Sequence, residues 1–160
     1  MDFEERLRKA IHRGQGRGAE KARKAQAAAL SEEDCKSLHS QYRLELSEHI
    51  EQCLKKIPNH FPGFRYETIF GERGWGAACF RDDVGASGGR RANYYSRLEM
   101  TIRPYSSAHV IDLAAKGTIR NKEAFSRNHF EELSNVDADQ FRDLIDLWVL
   151  EYAELYAAQD

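Results

Sequence analysis

Two cysteine–histidine pairs carry the plainest chemical potential in this chain. Cys35/His39 and His49/Cys53 are each spaced i,i+4, so on a helix each pair points two metal-type donors to one side. The pairs lie about fourteen residues apart, roughly 21 Å along one helix at 1.5 Å per residue, so a single helix cannot close a four-ligand site. A second copy running antiparallel could, because the segment is roughly symmetric about Leu44: Cys35 would face Cys53 and His39 would face His49. Free cysteine more often serves as a small core hydrophobe, and that weighs against the metal. The expectation is therefore no metal and no cofactor, with the symmetry used for an antiparallel homodimer.

Other groupings are weaker. The glycine-rich run from Gly85 to Arg91 offers backbone amides and the charges of Arg90 and Arg91 to an anion, yet it joins two strands and opens no helix, as phosphate loops do. Ser106 and Ser107 near His109 pair a nucleophile type with a base type, with no orienting acid in view. Asp82 and Asp83 are adjacent and would point to opposite faces of a strand. Glu131, Glu132 and His129 do not have metalloprotease spacing. No catalytic residue is assigned, and the chain is expected not to be an enzyme. The residues singled out as a candidate interaction surface are Trp75, Arg90, Arg91, Arg97, Arg103, Leu147 and Leu150. Trp75 stands between Gly74 and Gly76, where it is either a recognition anchor or, preferably, a plug at one end of the core.

These residues need elements to position them. Residues 2–13 predict a short helix with Phe3, Leu7, Ala10 and Ile11 on one side, broken by Gly14, Gly16 and Gly18, and followed by a solvated helical stretch over 19–30. Ser31 resembles an N-cap, and from Cys35 the apolar residues Leu38, Tyr42, Leu46, Ile50, Cys53, Leu54 and Ile57 recur at three and four. That is a helix over 31–57, ended by Pro58 and Pro62. The period then drops to two. Strands are expected at 64–70, 75–82, 94–103 and 109–120, with a hairpin loop at Gly71–Gly74 and a longer loop over 84–93. Residues 121–135 predict irregular chain or a short helix. Asp137 resembles a capping residue for a last helix with Phe141, Leu144, Ile145, Trp148, Tyr152 and Leu155 on one face. Leu147, Val149 and Leu150 widen that face beyond what one sheet contact requires.

The whole predicts an α+β fold: a long N-terminal helical region, a four-stranded antiparallel meander with one wet face, and a C-terminal amphipathic helix packed on one sheet face. Residues 1–30 form a basic helical or flexible arm, and 31–160 a single α+β domain. The 160 residues carry 24 Lys and Arg against 26 Asp and Glu, so the net charge of −2 gives no global pull toward nucleic acid or membrane. The distribution is uneven. Residues 1–30 are basic, while residues 137–160 hold seven acids against Arg142 alone, so head and tail can attract within or between chains. No apolar run approaches the ~20 residues of a membrane span, the N-terminus has no signal-peptide pattern, and three cysteines without framework spacing fit a reducing cytoplasm. The function expected from these features is a non-enzymatic binding or adaptor protein, chaperone-like in layout, that self-associates as a homodimer through protein–protein contacts. The alternatives are a nucleic-acid-associated protein using the basic arm, and a small enzyme whose pocket the sequence hides.

Overall fold

The structure, a computed structural model, describes residues 2–30 and 32–159, and within them the side chains of all but 26–30, 86 and 87. Ser31, the expected N-cap, lies outside the described residues. The chain divides into two compact units, Met1–Ser37 and Leu38–Asp160.

The first unit is dominated by helix α1, Phe3–Leu30, which runs through Gly14, Gly16 and Gly18 without a break. The expected interruption is thus corrected. Each glycine costs a helix about 1 kcal/mol relative to alanine, and the neighbouring Ala, Arg, Lys and Glu residues, with i,i+4 pairs such as Glu4–Arg8 and Glu20–Lys24, carry the helix across them. Phe3, Leu7 and Ile11 are exposed along one stripe.

The second unit contains five antiparallel strands among the described residues, in spatial order β1-β2-β3-β4-β5, so the sheet is a meander. They are β1 Arg65–Ile69, β2 Trp75–Ser87, β3 Arg90–Ile102, β4 Val110–Ile119 and β5 Lys122–Glu132. Helix α2, Glu32–Leu54, the one-turn helix α3, Ile57–His60, and helix α4, Ala138–Ala157, complete the element list with a 3-10 turn at Leu133–Asn135. No helix is long and apolar enough to cross a membrane among the described residues.

The core lies between one sheet face and the helices. Leu98, Met100 and Ile102 of β3 and Ile111 and Leu113 of β4 alternate inward and are fully buried, as the period of two requires. They meet Leu46, Ile50 and Leu54 of α2 and Phe141, Ile145 and Tyr152 of α4, also fully buried. Asp137 caps α4, its carboxylate accepting the Asp139 and Gln140 amides. Gly76 lets β2 approach β3: a Cβ there would lie 1.9 Å from the Met100 carbonyl oxygen. Gly117 leaves room for the Tyr152 ring, which would stand 3.0 Å from an added Cβ, and the Tyr152 hydroxyl donates to the Thr118 carbonyl at 2.8 Å.

Two expectations change. The loop over 84–93 is two residues long: β2 and β3 stay paired to Ser87↔Arg90, and Gly88 and Gly89, at φ 60° and 78°, make the tight turn. Two consecutive positive φ values match the twist of a hairpin, and glycine adopts them freely. The sheet also has a fifth strand, at 122–132, in place of irregular chain. Its turn is Arg120-Asn121, also at positive φ, held by Asn121: the side chain accepts the Tyr95 amide at 2.8 Å and donates to the Asn93 carbonyl at 2.8 Å. The strand hides in sequence because its inward positions are Phe125, Arg127, His129 and Glu131, paired with Gly117, Ala115, Leu113 and Ile111. Only Phe125 among them is apolar. Arg127 reaches instead to Glu151 of α4 in a two-pronged ion pair, and the His129 ring packs against Phe141 at 5.3 Å. Inward charge on an edge strand also discourages pairing with another sheet.

Candidate functional site

Within the second unit α2 and α4 lie side by side in the same direction. Glu45 meets Arg142 at 3.4 Å, and four residues further along both helices His49 meets Asp146 at 2.7 Å. The rows that touch are the positions beside each apolar stripe: 45, 49 and 53 flank Leu46, Ile50 and Leu54, and Asp146 follows Ile145. A residue beside a buried stripe is half-covered, so polar groups there are close enough to interact across the seam.

Three metal-type donors converge at this seam. His49 Nε2 donates to Asp146 Oδ1, and the Cys53 thiol donates to the same oxygen at 3.3 Å. Cys53 Sγ lies 3.7 Å from His49 Nε2. All three donor atoms fall within 4.8 Å of one another, and among the described residues they are the His, Cys, Asp or Glu group that gathers in this way. Burial pushes the Cys53 thiol up to about 11, reinforced by the hydrogen bond to Asp146 and by its negative charge; Lys56 works in the opposite direction. The thiol is therefore protonated near neutral pH. A nucleophilic Cys–His pair needs a ring nitrogen free to take the thiol proton. Here the nitrogen nearest the sulfur gives its own proton to Asp146, so the trio is not arranged as nucleophile, base and orienter.

Two of the trio, Cys53 and Asp146, stand on the wall of a groove of about 530 Å³ lined by Ile57, Phe61, Val149, Leu150 and Ala153, with Lys56 and His60 also lining it. Leu150 is 66% exposed and Leu147, one turn back on the outer side of α4, 59%. At the far end of the groove Phe61 and Phe64 stand edge-on to Tyr156 at 5.0 and 4.9 Å and fix the α3 segment to α4.

The sequence-selected residues are spread over three regions. Leu147 and Leu150 are on this helical side. Trp75 is on the same side of the sheet, half-buried, with the Arg43 guanidinium 4.2 Å above its ring. Arg97 is on the opposite sheet face, ion-paired to Glu67 at 2.7 Å and Glu99 at 3.4 Å, where Arg73 also reaches Glu99. Arg103 follows β3 and pairs with Asp112 at 3.4 Å. Arg90 and Arg91 are exposed at the tip of the β2–β3 hairpin. The sheet's wet face is therefore a laced ionic surface, as mixed cross-strand charges predict. Of the two Cys/His pairs, His49 and Cys53 join the site. His39 turns into the core, 3% exposed, its Nε2 3.1 Å from the Arg103 carbonyl, and burial lowers its pKa, which keeps it neutral. The Ser106 hydroxyl accepts the Ala108 amide within its own turn.

Asp146 is the residue that sequence reasoning missed. It is 93 residues from Cys53, and only its place next to Ile145, one step off the α4 stripe, marks it. Comparison of the chain with protein-family models, with curated proteins and with solved structures yields no match.

Proposed function

We propose that this chain is a non-enzymatic binding protein that self-associates, and that its groove between α2, α3 and α4 accepts a basic amphipathic helix: α1 of a second copy. The observation that carries the reading is a pair of complementary, uncovered surfaces. The groove is apolar, with Leu147 and Leu150 exposed beside it and Asp146 on its wall, and α4 also carries the exposed acids Asp143 and Glu154. Helix α1 is the inverse. Its exposed Phe3, Leu7 and Ile11 recur every four residues over about 12 Å of helix, flanked by Arg6, Arg8, Lys9 and Arg13. Most helices owe their stability to packing of an apolar stripe, and a helix with glycines at 14, 16 and 18 needs such packing more than most. Helix-in-groove recognition uses anchors at this spacing. The protonated Cys53 thiol supports a binding role over a nucleophilic one.

Reciprocal exchange of α1 between two copies gives two equal contacts, and this makes the test specific. Leu7→Asp with Ile11→Asp removes the donor; Leu147→Asp with Leu150→Asp removes the acceptor. Each double variant should sediment as a monomer, and a 1:1 mixture should recover heterodimer through the one intact contact. A mixture that stays monomeric while the unmodified chain dimerises would place the interface elsewhere. Salt-dependent retention on RNA, lost on deleting residues 1–18, would assign α1 to nucleic acid instead.

A further inference from the structure

We propose that His49, Cys53 and Asp146 bind one zinc-class divalent cation, at a site whose fourth position opens to the groove and is taken by water.

The donor set defines the class of ion. A thiolate, an imidazole and a carboxylate together suit zinc and its neighbours, whereas calcium and magnesium require oxygen ligands throughout. The spacing is close to that required. Tetrahedral bonds of about 2.0 to 2.3 Å place donor atoms roughly 3.3 Å apart for N and O and roughly 3.6 Å apart when one is sulfur. The separations here are 3.7 Å for Cys53 Sγ to His49 Nε2, 3.3 Å for Cys53 Sγ to Asp146 Oδ1, and 2.7 Å for His49 Nε2 to Asp146 Oδ1. Two already match within a few tenths of an ångström. The third must open by roughly 0.6 Å, which small torsions of the half-exposed Asp146 side chain, 49% accessible, provide.

The helices hold the donors in place. His49 and Cys53 share one face of α2 at i,i+4, and the buried Ile50 and Leu54 beside them fix that face. Asp146 is fixed by the buried Ile145 and Trp148 of α4. Binding rearranges two protons. The thiol proton leaves to solvent, and the imidazole moves its proton to Nδ1 so that the Nε2 lone pair faces the ion. The Asp146 oxygen then gives up two hydrogen bonds for one metal bond. Three protein ligands and one solvent position make an open site, unlike the closed four-ligand sites that serve structure alone. Lys56 and Arg142 are the cations closest to the seam, and both reach it from exposed or half-exposed positions where they can swing to solvent.

Cobalt(II) added to the full-length protein reads the site directly, since tetrahedral thiolate coordination gives a charge-transfer band and intense visible bands. One equivalent should produce them, and zinc should bleach them. Cys53→Ala should abolish the thiolate band, while Cys35→Ala and Cys79→Ala keep it. His49→Ala and Asp146→Ala should each weaken zinc binding, followed by competition with a chromogenic chelator, by more than about 100-fold, since even an outer-shell partner is worth 10- to 100-fold. Circular dichroism on each variant separates loss of the site from loss of the fold, and His49→Ala, at a half-exposed position, serves if Cys53→Ala does not fold. The proposal is overturned if the unmodified chain shows no thiolate band at stoichiometric cobalt, if the band survives Cys53→Ala, or if His49→Ala and Asp146→Ala bind zinc as tightly as the parent.

Discussion

Replacing Asp146 by Asn probes the electrostatics of the seam without removing a side chain. Asp146 accepts the Cys53 thiol and the His49 ring N–H on one oxygen, and its charge and hydrogen bond add to burial in holding the thiol at about 11 against an ordinary 9.0. Two pKa units correspond to a factor of about 100 in thiolate, so at pH 8 metal-free Cys53 should alkylate about 100-fold more slowly than an unperturbed thiol. The Asn side chain is the same size and loses the negative charge, so the access of reagent is unchanged and the thiol pKa falls toward the value set by burial alone. In a Cys35→Ala, Cys79→Ala background with chelator present, iodoacetamide kinetics followed by mass spectrometry from pH 7 to 11 give the profile directly. The midpoint for the parent should lie near 11 and that of Asp146→Asn clearly below it, with a several-fold faster rate at pH 8. An unshifted parent midpoint, or a variant that reacts more slowly than the parent, would refute the geometry of the trio.

Two further outcomes concern the fold that holds the seam. Tyr152→Phe leaves the Thr118 carbonyl without its 2.8 Å donor beneath α4 and should cost about 1 to 2 kcal/mol in urea unfolding; an unchanged midpoint would show that the hydroxyl is not needed there. Burial raises the Cys79 thiol to about 12 from 9.0, so its contribution to stability is fully present below pH 9 and is lost as pH rises toward 12, because the unfolded chain ionises first. From pH 8 to 10 that loss is roughly 1.4 kcal/mol, and Cys79→Ala, which has no thiol to ionise, should show an alkaline decline shallower by that amount. Equal declines would mean that Cys79 is not sealed under the helices.

The layered architecture and most of the core were legible because the periodicities were clean. The stripe from Leu46 to Ile57 and the alternation from Leu98 to Ile102 each have one physical solution, a helix or a strand with one face inward. β5 was not legible because three of its four inward residues are ionisable, and they serve α4 rather than fill space. The hairpin at Gly88-Gly89 looked like a long loop because glycines and arginines weaken strand propensity while leaving the ladder intact. The unbroken α1 shows the converse: three glycines lower propensity without ending a helix whose other residues favour it. Of the seam, His49 and Cys53 stood out by spacing, but the partner that completes them comes from α4. Such long-range neighbours follow from the direction and offset of two packed helices, which no local pattern records. His39 carries the same spacing signal as His49 and lies in the core, so i,i+4 spacing marks a face and not its use.

The claim that joins fold and function is that the uncovered groove and the uncovered α1 stripe belong together across two copies of the chain. Sedimentation equilibrium of the full-length protein at low ionic strength tests it most directly. A mass of two chains is predicted, falling to one with Leu147→Asp and Leu150→Asp and loosening as salt screens the basic helix from acidic α4. A strict monomer at every concentration, or a dimer indifferent to both the leucines and salt, would contradict it.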